Sequence, residues 1–268
     1  MGPPRLKKRK TRRQRGGSNL VFHIVYSAYL DTKGSSWENS RAKALVTQQL
    51  QDLVDFGLTQ AKSIHIILTA PKKSDYNNST DLLFDEAVAS IKSILPSAII
   101  ERIAGNKYEY PGIRRVWDLA NKTQEDADKT LILYFHSKGM INGNTSSIKT
   151  PEAEMLTNAV IKPWKEIIDR FQKEPTLNKA GYAAPDAGFI WYNFWWARAS
   201  YLKGCPRPIL TERRHYYEDW LGRRKVPNNT SPEPGKSGTA ANCLSLCVSG
   251  PNGPLGMSMS ASMEKCTV

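Results

Sequence analysis

Thiols are absent from the first three quarters of this chain. Its four cysteines (Cys205, Cys243, Cys247 and Cys266) all fall in the last quarter. Cys243 and Cys247 have no second pair at zinc-ligand spacing and no nearby histidine, which argues against a structural zinc site. With so little cysteine, a reducing, intracellular compartment is expected. Long apolar runs are missing too. None approaches the roughly 18 residues of a membrane span, and the first residues lack the apolar stretch of a secretory signal, so no transmembrane segment is expected. Gly2 is followed by Leu6 where the myristoylation pattern requires Ser or Thr, which argues against lipidation.

Acidic residues are absent from the first 17 positions, where Arg5, Lys7, Lys8, Arg9, Lys10, Arg12, Arg13 and Arg15 stand. Removing those eight charges leaves only +5 of the net +13 on the other 251 residues. The excess therefore belongs to a tail. Such a run repels itself, remains disordered and attracts polyanions without specificity, including a nuclear import receptor. No aromatic residues interleave with the charges, so stacking on bases is not expected.

What the chain does have is a body of ordinary globular composition, 40% hydrophobic and 24% charged. Residues 19–29 form an apolar run enclosing His23 and Tyr26, and His23 is expected to be a satisfied core residue. Residues 37–56 show helical periodicity, closed by Gly57. The runs 63–69 and 98–103 read as strands, separated by a helix from Thr80 or Asp81 to Leu95. Tyr110-Pro111 opens a further helix, and Leu131-Ile-Leu-Tyr-Phe135 is a strand apolar on both faces. This alternation predicts a mostly parallel α/β sheet. A helix is expected over about 151–171, interrupted at Pro163. Beyond Arg224 the composition shifts to Pro, Gly, Ser and Asn.

In open α/β sheets ligands bind beyond the carboxyl ends of the strands. His136, Ser137 and Lys138 follow the last apolar strand, and Gly139 permits close backbone approach. A polar loop there, with aromatic residues further on, suggests a nucleotide-sugar transferase of the GT-A type. The metal-binding Asp-x-Asp of such enzymes has one match, Asp126-Ala-Asp128, but it precedes the strand and reads as a solvated turn. Lys138 could instead neutralise a diphosphate as a point charge.

Six segments carry a more specific resemblance: His23-Ile-Val-Tyr26, Gly57-Leu58, Tyr108-Glu-Tyr-Pro111, Phe135 to Gly139, Asn193-Phe-Trp-Trp-Ala-Arg-Ala199 and Glu218-Asp-Trp220. In this order, over roughly residues 20 to 225, they resemble a glycosyltransferase family of large DNA viruses, algae and bacteria, related to rhamnan-synthesis-type proteins. The chain departs from that pattern at Gly188-Phe-Ile-Trp-Tyr-Asn193, where members carry a polar His-x-x-Gly; this bears on the acceptor side.

The resemblance implies a single GT-A-like (Rossmann-like) domain over 19–225, with a disordered basic tail over 1–18 and a low-complexity tail over 226–268. It implies a nucleotide-sugar donor held by Tyr26, His136, Ser137, Lys138 and Gly139, and a glycan or glycoprotein acceptor met by Asn193, Trp195 and Trp196. Trp faces can stack on sugars, and an amide can orient hydroxyls. Glu218 is the expected general base, its pKa raised by apolar neighbours, and adjacent Asp219 is the alternative. Tyr108 and Glu109 are expected to be structural. No firm cofactor follows: Mn²⁺ or Mg²⁺ serves many such enzymes, yet no well-placed Asp-x-Asp awaits it here. The expected location is the cytoplasm, that of a host cell if the chain is viral, with nuclear entry through the basic tail. Two alternatives stay open, a non-catalytic nucleotide-sugar or glycan-binding relative and a basic nucleic-acid-associated protein.

Overall fold

The structure, a computed structural model, describes residues 20–30, 36–71, 80–105, 107–137, 151–182, 189–223 and 243–246. Its first half alternates strand and helix, as the apolar runs predict. β1 (Val21–Tyr29), α1 (Arg41–Asp55), β2 (Ser63–Ala70), α2 (Thr80–Ile94), β3 (Ile99–Ala104), α3 (Tyr110–Lys122) and β4 (Thr130–His136) follow in order. Ser40 caps α1 by accepting the amide of Lys43, so the helix begins four residues after Trp37. Gly57 adopts φ 78° just past its end, a conformation that costs glycine little.

The second half contains α4 (Pro151–Leu156), a π-helical turn (Thr157–Ile161), α5 (Trp164–Lys173), β5 (Lys179–Tyr182), β6 (Trp195–Arg198), α6 (Ala199–Lys203), α7 (Arg214–Asp219) and β7 (Cys243–Leu246). Pro163 separates the π turn from α5, as its missing N–H requires. β7 lies inside the segment expected to be a low-complexity tail, and its composition gave no sign of a strand. The rest of that segment and residues 1–19 lie outside the described residues.

The sheet has the order β3-β2-β1-β4-β6-β5-β7. β6 alone is reversed, running antiparallel to both β4 and β5. This α/β arrangement of a mostly parallel sheet flanked by helices is compatible with a Rossmann-like fold. Residues alternate between two apolar layers. On one face Tyr26, Phe135 and Trp196 meet α1, α2, α4 and α5; on the other Tyr134 and Trp195 meet α3, α6 and α7. Arg198, at the end of β6, is buried against the Phe171 ring. It donates to the carbonyls of Leu177, Asp128, Phe171 and Glu174 at 2.6, 2.5, 2.5 and 3.2 Å. It thereby ties β6 to the turn before β4. Among the described residues no helix is long and apolar enough to cross a membrane.

The amino end of the sheet holds a polar network. Ser63 Oγ lies 2.6 Å from His23 Nδ1 and 2.9 Å from His65 Nε2, so the hydroxyl donates to one ring and accepts from the other. Glu125 stands 3.6 Å from His23 Nε2 and pairs with Lys62. Burial, with the charges of Arg115 and His23, lowers the His65 pKa to about 4. Between pH 4 and 6.5 the folded chain therefore binds fewer protons than the unfolded one, and stability rises with pH. As pH falls below 6.5 this histidine destabilises the fold, reaching roughly 3 kcal/mol once pH is below about 4. Urea unfolding of the wild type and His65→Gln across that range should show the variant escaping this loss. Parallel stability curves would exclude it.

Candidate functional site

The reversed direction of β6 builds the site. Tyr134 of β4 pairs with Trp195 of β6, so the residues just before β6 arrive at the carboxyl end of β4. Asn193 is thereby brought to His136, which ends β4. The start of α3 comes to the same place because its first turn packs tightly on the sheet. A Cβ added at Gly112 would approach Ser27 Cβ and Tyr134 Cε2 to 2.8 Å. Only glycine lets α3 sit this close and deliver Glu109 to the strand ends.

Three polar side chains meet there, Glu109, His136 and Asn193. Asn193 Nδ2 donates to Glu109 Oε2 at 2.5 Å and to the Tyr217 carbonyl at 3.0 Å, while its Oδ1 accepts from Trp195 Nε1 at 3.3 Å. His136 Nε2 lies 2.9 Å from the Tyr192 carbonyl and 3.6 Å from Glu109 Oε1. A carbonyl only accepts, so Nε2 carries a proton and donates it. Nδ1 has no partner among the described residues. Glu109 occupies the N-cap position of α3 without capping it, and the positive end of that helix favours its charge. Behind His136, the Tyr134 phenol has its pKa raised, first by burial and then by the Glu109 carboxylate.

The backbone around this cluster is strained. Tyr108, Tyr192 and Asn193, at φ 51°, 66° and 53°, are the non-glycine residues with positive φ among the described residues. Bulky side chains seldom adopt that region, and each such residue costs on the order of 1–3 kcal/mol. Tyr108 adjoins Glu109, Tyr192 meets His136 through its carbonyl, and Asn193 belongs to the cluster itself; such strain concentrates where geometry serves function.

The expected site residues separate into groups. His136, Ser137 and Asn193 gather at the carboxyl ends. Ser137 Oγ accepts the Tyr29 amide at 3.0 Å and joins β4 to the end of β1. Lys138 and Gly139, with the polar loop that follows, lie outside the described residues. Tyr26 requires correction as a direct ligand contact. It is fully buried, stacked on Phe135 at 4.7 Å, and its hydroxyl donates to Gln49, whose amide reaches the His136 carbonyl. It acts behind the site. Trp195 and Trp196 also differ from expectation. Strand alternation sends them to opposite faces, both are fully buried, and their N–H groups go to Asn193 and to the Val160 carbonyl. Neither offers a ring face to a sugar.

Glu218 and Asp219 sit on α7, which the Tyr217–Asn193 bond holds to the cluster. Glu218 is met by His215 Nδ1 at 3.2 Å, a polar neighbour where apolar ones were expected. Asp219 pairs with Arg223 at 3.4 Å. The Asp126–Asp128 turn lies at the opposite end of the sheet, where Asp126 Oδ1 accepts the Asp128 amide. Among the described residues no group of three or more His, Cys, Asp or Glu side chains could hold a metal ion. Glu109, expected to be structural, stands at the mouth of α3 with its carboxylate 3.6 Å from His136 Nε2.

Asn193→Asp places a carboxylate against Glu109 and the Tyr217 carbonyl, and should destabilise the fold by about 3 kcal/mol or more. Adding Glu109→Gln supplies a donor amide and should restore about 1–3 kcal/mol of that loss. Chemical denaturation of both variants measures this coupling. Equal stability of the single and double variants would contradict the geometry.

In comparisons with known proteins, no family model and no curated protein matches the chain.

Proposed function

We propose that this chain is a glycosyltransferase of GT-A type, moving a sugar from a nucleotide-diphosphate sugar to a hydroxyl of a glycan or glycoprotein. The observation that carries the reading is the Glu109–His136–Asn193 cluster, set by three left-handed residues beyond the carboxyl ends of β1 and β4. That is where an α/β sheet binds its ligands. Residues from three of the six segments of the family resemblance, Glu109, His136 and Asn193, meet at this end.

The donor diphosphate lies over the ends of β1 and β4. Ser137 accepts the Tyr29 amide and keeps its own O–H for a phosphate oxygen. Lys138, next in the chain, supplies a positive charge to the leaving diphosphate. The acceptor approaches from α7. Its hydroxyl oxygen forms the new bond to the anomeric carbon, the bond from that carbon to the diphosphate breaks, and the acceptor proton passes to Glu218. His215 beside Glu218 keeps the carboxylate oriented. Glu109 positions His136 and Asn193.

A second reading, a non-catalytic glycan-binding relative, is favoured by that same His215–Glu218 pair, which occupies the expected base, and by the burial of both Trp195 and Trp196.

Transfer from a panel of nucleotide sugars to mixed glycan acceptors tests the enzyme reading. Glu218→Gln should lower kcat about 10²–10⁴-fold, the usual worth of a general base, and leave nucleotide-sugar affinity nearly unchanged. Binding should persist in chelator if Lys138 serves in place of a cation. Near-normal turnover in Glu218→Gln with Asp219→Asn inactive would move the role to Asp219. Full turnover in both would remove α7 from the chemistry.

A further inference from the structure

The two tryptophans of the Asn-Phe-Trp-Trp segment are buried, yet a third, two residues before Asn193, is not. Trp191 is 41% exposed, whereas Trp37, Trp164, Trp195, Trp196 and Trp220 are buried and Trp117 is half-buried. Phe189 stands edge-on to it, with centroids 5.1 Å apart and planes at 75°, fixing the plane of the indole. Tyr108, which precedes Glu109, is 40% exposed, its ring 6.5 Å from Tyr217.

Each of these rings adjoins a group that meets His136. Trp191 precedes Tyr192, whose carbonyl lies against His136 Nε2, and Tyr108 precedes Glu109, whose carboxylate stands 3.6 Å from the same nitrogen. Each is also tied to the strained backbone. Tyr192 and Asn193 turn left-handed directly after Trp191, and Tyr108 is itself left-handed. The turn drives Asn193 inward, to 1% exposure, while leaving the preceding indole outside. Strain spent on holding a large aromatic ring in water gains nothing for stability, since the same ring folded inward would bury apolar area.

We propose that Trp191 is the platform for the pyranose ring of a neutral oligosaccharide. This extends the acceptor side of the transferase reading and moves it from Trp195 and Trp196 to Trp191. A pyranose has an apolar C–H face and a rim of hydroxyls. A fixed indole plane takes the first, and a carboxylate such as that of Glu109 can accept from the second. An aromatic surface with a few convergent polar groups is the general form of a small-ligand site.

Because Trp191 is the most exposed of the seven tryptophans, collisional quenching by acrylamide reads it selectively. The full chain is titrated with maltohexaose, cellohexaose, xylohexaose and chitohexaose. At least one should shield Trp191 from acrylamide. Trp191→Ala, followed by calorimetry, should weaken binding of that sugar about tenfold, Trp191→Phe should retain part of it, and UDP binding should not change. An unchanged unfolding midpoint confirms that the variants fold. Absence of shielding by all four sugars, wild-type sugar affinity in Trp191→Ala, or shielding of Trp191 by UDP alone would overturn the proposal. Shielding needs no donor, so sugar binding without transfer from any nucleotide sugar would sink the transferase reading and leave the platform standing.

Discussion

One carboxamide holds the candidate site together. Asn193 is buried, and its three hydrogen bonds join the mouth of α3 at Glu109, the backbone of α7 at Tyr217 and the start of β6 at Trp195. Each partner comes from a different part of the chain. An unpaired buried polar group costs about 1–3 kcal/mol, so all three elements are committed to one arrangement. The left-handed backbone at Tyr192 and Asn193 is tolerated because this triple anchorage over-determines it. Without the amide, Glu109 would have no fixed place beside His136.

Topology explains why these groups meet. In a sheet of parallel strands, the loops at the carboxyl ends of β1 and β4 form the natural ligand crevice. Reversing β6 brings a loop that precedes a strand to that same end. The Asn-Phe-Trp-Trp segment thus places its first residue at the site and its two tryptophans in the sheet. Arg198, at the other end of β6, locks the strand to the turn before β4 and so fixes how far Asn193 reaches.

The strands β1, β2 and β4 were legible because continuous apolar runs between turn residues leave few alternatives. Helix ends were legible at Gly57 and Pro163 for equally local reasons. β5, β6 and β7 were not. They are four residues each, and β6, buried on both faces, shows no alternation of apolar and polar residues. That is why the Trp pair resembled a sugar platform, although alternation along a strand sends Trp195 and Trp196 to opposite faces. The placement of Glu109 and Trp191 was not legible for another reason. It depends on positive φ at tyrosine and asparagine, a conformation that residue type does not announce. The position of His136 and Ser137 at the end of β4 was legible because an apolar run stops there.

The central claim is that ligand is bound at the carboxyl ends of the strands, around His136. The chain has four histidines, His23, His65, His136 and His215, so ring-labelled histidine gives four assignable sets of NMR signals. His23 and His65 belong to the network at the amino end of the sheet and serve as internal controls. Titration with a panel of nucleotide sugars should shift the His136 ring signals, above all those reporting on Nδ1, and leave His23 and His65 in place. Shifts at His23 and His65 with His136 unmoved, or binding with no change at His136, would contradict the account.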